Sequence, residues 1–125
     1  MKSFELRGSR FRRDIRGSMS TMFALSLTPV IFLIGVSVDY SRANRTGVML
    51  QDAIDSATLG GAFVSATNRE SIASNVFTSN ASTIGGSGTT ATFSTTAEYY
   101  QGVATTTIPT TFLKAVSINS ITVSK

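Results

Sequence analysis

The 125-residue sequence predicts an α+β fold: a long N-terminal helix, transmembrane in its first part and amphipathic in its second, then a short helix and a small antiparallel sheet. Three observations carry this expectation. Residues 17–38 contain no charged group; from residue 36 apolar and small residues recur at helical spacing; and beyond a glycine-rich break at 85–88 the composition turns to Thr, Val, Ile and aromatics. The segments that follow are a basic cytoplasmic arm at 1–16, a transmembrane helix at 17–38 and a small extracytoplasmic α+β region at 39–125.

The uncharged run comprises 22 residues, about 33 Å of helix at about 1.5 Å per residue. That matches a hydrocarbon core of roughly 30 Å. Residues 1–16 carry six basic and two acidic groups, whereas residues 39–125 carry five of each. The whole net charge of +4 therefore flanks one end of the apolar run, which predicts a cytoplasmic N-terminus and an exported C-terminal portion, with only Arg42 and Arg45 opposing. The same distribution argues against a nucleic-acid groove. A cleaved secretory signal shares the basic start and the apolar run, and Ser41-Arg42-Ala43 offers small residues for cleavage after Ala43, so a secreted surface binding module stands as an alternative. Inside the run, Pro29 removes an amide hydrogen and leaves the Leu25 carbonyl without its helical partner, and Ser20, Ala24 and Thr28 form a stripe of small side chains.

Val36, Tyr40, Ala43, Gly47, Leu50, Ile54, Ala57, Gly61 and Val64 alternate at spacings of four and three, so the helix continues past the membrane as an amphipathic one as far as Gly60-Gly61. This stripe is poor in large residues, which suits a core-facing helix better than a coiled-coil seam. Thr67-Asn68-Arg69-Glu70 has the form of a capping box and predicts a second helix over 68–78. Ile84-Gly85-Gly86-Ser87-Gly88 reads as a turn or linker. Strands are expected at 89–96, 98–108 and 118–124, with Gln101-Gly102 as a turn or bulge and a short helical turn over 109–116 beginning near Pro109.

The sequence contains no Cys and no His, which removes thiol and imidazole chemistry, disulfides and most transition-metal sites. Asp52 and Asp55 share a helical face but read as a solvated pair rather than a cation site. Gly85-Gly86-Ser87-Gly88 lacks the Lys-Ser/Thr of a phosphate loop, and no serine or threonine has an evident base beyond Lys114 or Lys125. Asn44-Arg45-Thr46 and Asn80-Ala81-Ser82 match the glycosylation triplet, a pattern common by chance. No catalytic, cofactor-binding or metal-ligating residue is assigned, no cofactor is expected, and the chain reads as a non-enzyme.

The stretch Phe11-Arg12-Arg13-Asp14-Ile15-Arg16-Gly17-Ser18, then Met22-Phe23-Ala24-Leu25, Pro29 and Gly35-Val36-Ser37-Val38-Asp39-Tyr40-Ser41-Arg42, resembles the N-terminal membrane-anchored region of the TadG-like (TadE/TadG) family of bacterial Tad, or Flp, pilus-assembly proteins. Leu50-Gln51-Asp52-Ala53-Ile54-Asp55-Ser56-Ala57 is similar to the family's next segment, and Ile108-Pro109-Thr110-Thr111-Phe112-Leu113 and Ile118-Asn119-Ser120-Ile121-Thr122-Val123-Ser124 to its closing strands. The resemblance implies a pilin-like layout and a single-pass protein of the bacterial inner membrane, its C-terminal portion in the periplasm. Its implied partners are the lipid bilayer and other Tad assembly proteins, with no nucleic acid. In the TadE branch a Gly is followed five residues later by Glu, the form read by prepilin peptidase; here Gly17 is followed at that spacing by Met22. A minor pilin-like subunit cleaved after Gly17 is the second reading that the resemblance implies.

Overall fold

A computed structural model describes residues 15–125; the basic arm read at 1–16 lies almost entirely outside the described residues, as does the Phe11-Arg12-Arg13-Asp14 opening of the family-like motif. The elements are helix α1 (Ile15–Ala62), helix α2 (Arg69–Ala81), strands β1 (Ser87–Thr95) and β2 (Tyr100–Pro109), a 3-10 turn (Leu113–Val116) and strand β3 (Ser120–Ser124). The strands form one antiparallel sheet with β2 in the middle. The α+β class, with a long apolar helix, a short helix and a three-stranded sheet, is thus the one the sequence predicts. The chain divides into two units, Met1–Ile34 and Gly35–Lys125, and the division falls within α1.

In the first unit α1 runs unbroken through Pro29. Most of its apolar side chains are open: Phe23 is 68 % and Leu25 70 % exposed, with Met19, Met22, Ile31, Leu33 and Ile34 similarly so. Contiguous apolar surface of this extent is not stable in water, and this is the one helix long and apolar enough to cross a membrane among the described residues. Ser26 and Thr28 donate their hydroxyls to the carbonyls of Met22 and Ala24, one turn back, so neither polar group needs water.

The second unit is built around one face of α1. Ala43, Gly47, Leu50, Ala53, Ile54, Ala57 and Gly61 are buried there, and Leu50, Ala53, Ile54 and Ala57 join Phe77 of α2, Ile84 and Ala104 of β2 in a single core. Both sides of this contact are made of small residues. Along β2 the inward positions are Gly102, Ala104, Thr106 and Ile108, alternating with more exposed ones as the two-residue period of a strand requires. Thr106, fully buried, shares a 2.7 Å hydrogen bond with the hydroxyl of Thr89, so its polar atom costs little.

Strand β2 runs antiparallel to α1 along its length. Tyr100 lies at Gly61, Gly102 at Ile54 and Thr58, Ile108 and Pro109 beside Thr46, and Thr111 at Asp39. The lengths agree: 22 helical steps from Gly61 to Asp39 cover about 33 Å, and 11 extended steps from Tyr100 to Thr111 cover about 37 Å. At the Gly61 end Tyr100 stacks on Phe93, centroids 6.1 Å apart, and the Arg69 guanidinium lies 5.3 Å from the Tyr100 ring centre. Burial, reinforced by the charge of Glu70 and opposed by Arg69, pushes the Tyr100 hydroxyl above its ordinary pKa.

Several local expectations are corrected. Gln101-Gly102 is neither turn nor bulge but lies within β2; the hairpin turns at residues 96–99, where Thr96 and Tyr99 exchange backbone and hydroxyl hydrogen bonds. Glycine is needed at 102 because a Cβ there would stand 2.8 Å from Ile54 Cδ1 and from Thr58 Oγ1. The Thr67-to-Glu70 capping box does not form: Asn68 is the N-cap residue, already helical in its backbone angles, and makes no side-chain cap, so α2 starts at Arg69 and runs to Ala81. Ser87 and Gly88 belong to β1 rather than to a linker, with a register shift between Ser87 and Thr90. Pro109 ends β2 opposite Ser120 instead of opening the helical turn, which is confined to residues 113–116.

The small-residue contact between α1 and β2 makes the core sensitive to truncation. Leu50→Ala is expected to lower unfolding free energy by about 2–5 kcal/mol, and Val48→Ala, on the exposed face, by less than about 0.5 kcal/mol. Chemical unfolding of the two variants in the same detergent checks the difference.

Candidate functional site

The second unit begins within the last turn of the uncharged run, and its most constrained feature lies just beyond that run. Asp39 is the first charged residue after the run, yet its side chain is only 2 % exposed. The stripe read from the sequence gave this turn of the packing face to Tyr40; in the structure Tyr40 is 70 % exposed and Asp39 takes the inward position. Either residue keeps the helical period, and the choice is decided by what faces it.

Three consecutive backbone amides point at the carboxylate. Thr111 N–H donates to Oδ1 at 3.0 Å and Oδ2 at 3.1 Å, Phe112 N–H to Oδ2 at 2.7 Å and Leu113 N–H to Oδ2 at 2.8 Å. These amides open the 3-10 turn and have no acceptor within it, so an aspartate 72 or more residues earlier in the chain serves as its cap. Burial alone would raise the Asp39 pKa. The amides of Leu113, Thr111 and Phe112, aided by the positive charge of Arg42, outweigh it and hold the carboxyl below its ordinary value. Phe112 then packs on Gly35, one turn earlier on α1, where any Cβ would fall on the phenyl ring.

The remainder of the loop closes on itself. Ser117 takes the left-handed conformation at φ 66°, its amide donates to the Lys114 carbonyl and the Ile118 amide to that of Leu113, the paired arrangement that ends a helix. The Thr110 amide donates to Asn119 and the Thr110 hydroxyl to the Ile118 carbonyl. Residues 110–119 are therefore a rigid platform fixed to α1 at Asp39.

Beside it lies a cleft of about 390 Å³ lined by Arg42, Arg45, Thr46 and Thr83 among others, with no acidic residue on its wall. Arg42 also reaches the Thr111 hydroxyl at 3.4 Å. Asp52 and Asp55 are both exposed, and Asp55 accepts a hydrogen bond from Gln51 at 2.8 Å. Among the described residues no group of three metal-ligating side chains comes together. Asn44 and Asn80, the first residues of the two glycosylation-like triplets, are exposed on α1 and α2. Lys114 sits in the 3-10 turn, and Lys125 extends β3 by exchanging backbone hydrogen bonds with Ala104. The geometry is that of a structural clasp with a basic recess beside it. Sequence reasoning treated Asp39 only as the end of the uncharged run; its amide partners belong to a loop without a side-chain signature.

In comparison with known families, residues 17–66 match the Tad family, described as "Putative Flp pilus-assembly TadE/G-like". The matched segment covers α1 from Gly17 and the loop that leaves it, including Gly35 and Asp39. It stops before α2 and the sheet. No curated protein and no solved structure matches the chain.

The clasp makes a signed prediction. With its pKa lowered by folding, Asp39 contributes stability in full above the ordinary value of about 3.9, and loses it as pH falls through the lowered folded value. Asp39→Asn should therefore be less stable than the parent at neutral pH, and the gap should narrow as pH drops below about 4. Amide exchange at residues 111–113 should quicken more in the variant at neutral pH than exchange of core amides near Leu50, which quickens only by the loss of global stability.

Proposed function

We propose that the chain is a non-enzymatic, single-pass membrane protein of Tad/Flp pilus assembly, anchored by residues 17–38 in the bacterial inner membrane. The observation that carries this is the coincidence of the family match with the exposed, uncharged helix. In this reading residues 1–16 remain in the cytoplasm, drawn there by the excess of Lys and Arg, and residues 39–125 form the periplasmic domain. The anchor sits in the lipid bilayer, and the outer domain contacts other components of the pilus machinery, as the assembly role of the family supports. Several hydroxyls on the helices are committed to backbone carbonyls one turn back, as in Ser56 to Asp52 and Thr78 to Ser74.

A second reading, a minor pilin-like subunit cleaved after Gly17, draws on the layout itself: a long helix whose second half carries a small sheet, with the family match beginning at Gly17. Cleavage there keeps every contact of the clasp. Cleavage after Ala43, the secreted-module alternative, would remove Asp39 and leave the three amides of residues 111–113 without their acceptor, which counts against it.

Three measurements separate these readings. The anchored protein stays in the membrane through an alkaline wash, and a reporter fused after Lys125 is active only in the exported compartment; activity in the cytoplasm would overturn the topology. Gly17→Val leaves the apparent mass unchanged, whereas a wild type about 17 residues shorter, restored to full length by the valine, would establish the processed pilin. Met22→Glu lowers insertion efficiency, since a carboxylate inside a membrane helix is costly, by up to roughly 3 kcal/mol at the helix centre on insertion scales and by less at residue 22 nearer its end.

A further inference from the structure

The platform at residues 110–119 has an exposed side that its internal hydrogen bonding does not explain. Val116 is 51 % and Ile118 46 % exposed, and Phe112, packed on Gly35, is also open to the outside. Tyr40 and Val38 of α1 are exposed at the same level, because Asp39 holds the platform between them. Five apolar or aromatic side chains thus share one end of the second unit, and that end is where the uncharged run stops. Gly35, Val36, Ser37 and Val38 are the last residues of that run, and Phe112 covers the first of them.

If residues 17–38 span the bilayer, as proposed above, the level of Val38 is the edge of the hydrocarbon. The headgroup layer then occupies the next 5–7 Å or about that distance. The platform cannot stand clear of that layer, since three of its amides are tied to Asp39, the next residue along. Arg42 follows at about 6 Å along the helix axis, within that layer, and Arg45 at about 10 Å, just beyond it, where a long side chain can reach back to the lipid phosphates. This gives a reason for two arginines on the side of the membrane where topology signals disfavour them. Lys114, on the 3-10 turn itself, can bury its stem and keep its ammonium at the phosphates.

We propose that residues 112–118 form an interfacial foot: Phe112, Val116 and Ile118 insert into the boundary between headgroups and acyl chains of the periplasmic leaflet, with Arg42, Arg45 and Lys114 at the phospholipid phosphates. The partner is the bilayer surface and no protein is required. Because the platform is closed by Asp39 at one end and by the Ser117 turn at the other, insertion orders nothing new, and the gain from apolar burial is not spent on folding a loop.

The chain has no tryptophan, so a single introduced one reports its own surroundings. The full-length protein is reconstituted into vesicles of phosphatidylcholine and phosphatidylglycerol as three variants: Val116→Trp on the foot, Tyr99→Trp on the hairpin at the opposite end of the sheet, and Phe23→Trp in the anchor. Lipids bearing a doxyl group near the headgroup should quench Val116→Trp several-fold more than Tyr99→Trp, and the foot variant should emit at shorter wavelength. Ile118→Trp gives the same readout if Val116→Trp does not fold. Equal, iodide-accessible emission from foot and hairpin, with Phe23→Trp quenched by deep doxyl lipid, would overturn the foot while leaving the anchor intact. Loss of lipid quenching at Phe23→Trp would instead reject the anchor on which the foot rests.

Discussion

The second unit depends on one buried carboxylate. An ionised aspartate removed from water is costly unless its oxygens are satisfied, and Asp39 is satisfied entirely by backbone groups that no other element could supply. Those amides fix where β2 ends, which in turn fixes the register of β2 along α1 and the placement of Gly102 against Ile54. They also bring Phe112 onto Gly35, where only a hydrogen leaves room for the ring. Removing the carboxylate would free the loop, the strand end and the turn together.

The position of this clasp gives it a functional meaning. In a protein held by a single helix, a domain joined to the anchor by a flexible tether would sample many orientations. Here the helix that carries the uncharged run is continuous in secondary structure with the core helix of the second unit, and the clasp grips it at the first charged residue beyond that run. In the proposed reading of the run as an anchor, the clasp stands at the end of that anchor. The family match covers the half of the clasp that lies on α1; the half that donates the amides falls outside it.

What was legible in the sequence was what repeats. The uncharged run, the three-four alternation and the shift to Thr, Val and Ile each extend over many residues, and from them the long helix and the antiparallel strands follow. What was not legible was decided by single contacts between distant residues. Asp39 and residues 111–113 are more than seventy positions apart, and backbone amides leave no mark on composition. Gly102 looks like a turn because glycine serves turns and close approaches alike, and only the Ile54 side chain distinguishes them. Tyr40 and Asp39 fit the helical stripe equally well until the amides are known. The Thr-x-x-Glu signal at 67–70 was overruled by a turn that carries Asn68 into helical angles before any cap can form. The candidate site was thus visible only as the boundary of a hydrophobic run, not as a clasp.

The clasp can be observed directly by carbon-13 NMR of the Asp39 side-chain carboxyl, followed through an acid titration of the full chain in lipid nanodiscs. Three amide donors predict a midpoint below the ordinary carboxylate value of about 3.9. A midpoint at or above that value would mean that burial dominates, that the amides of residues 111–113 do not hold the carboxylate, and that the platform is not fixed to the helix.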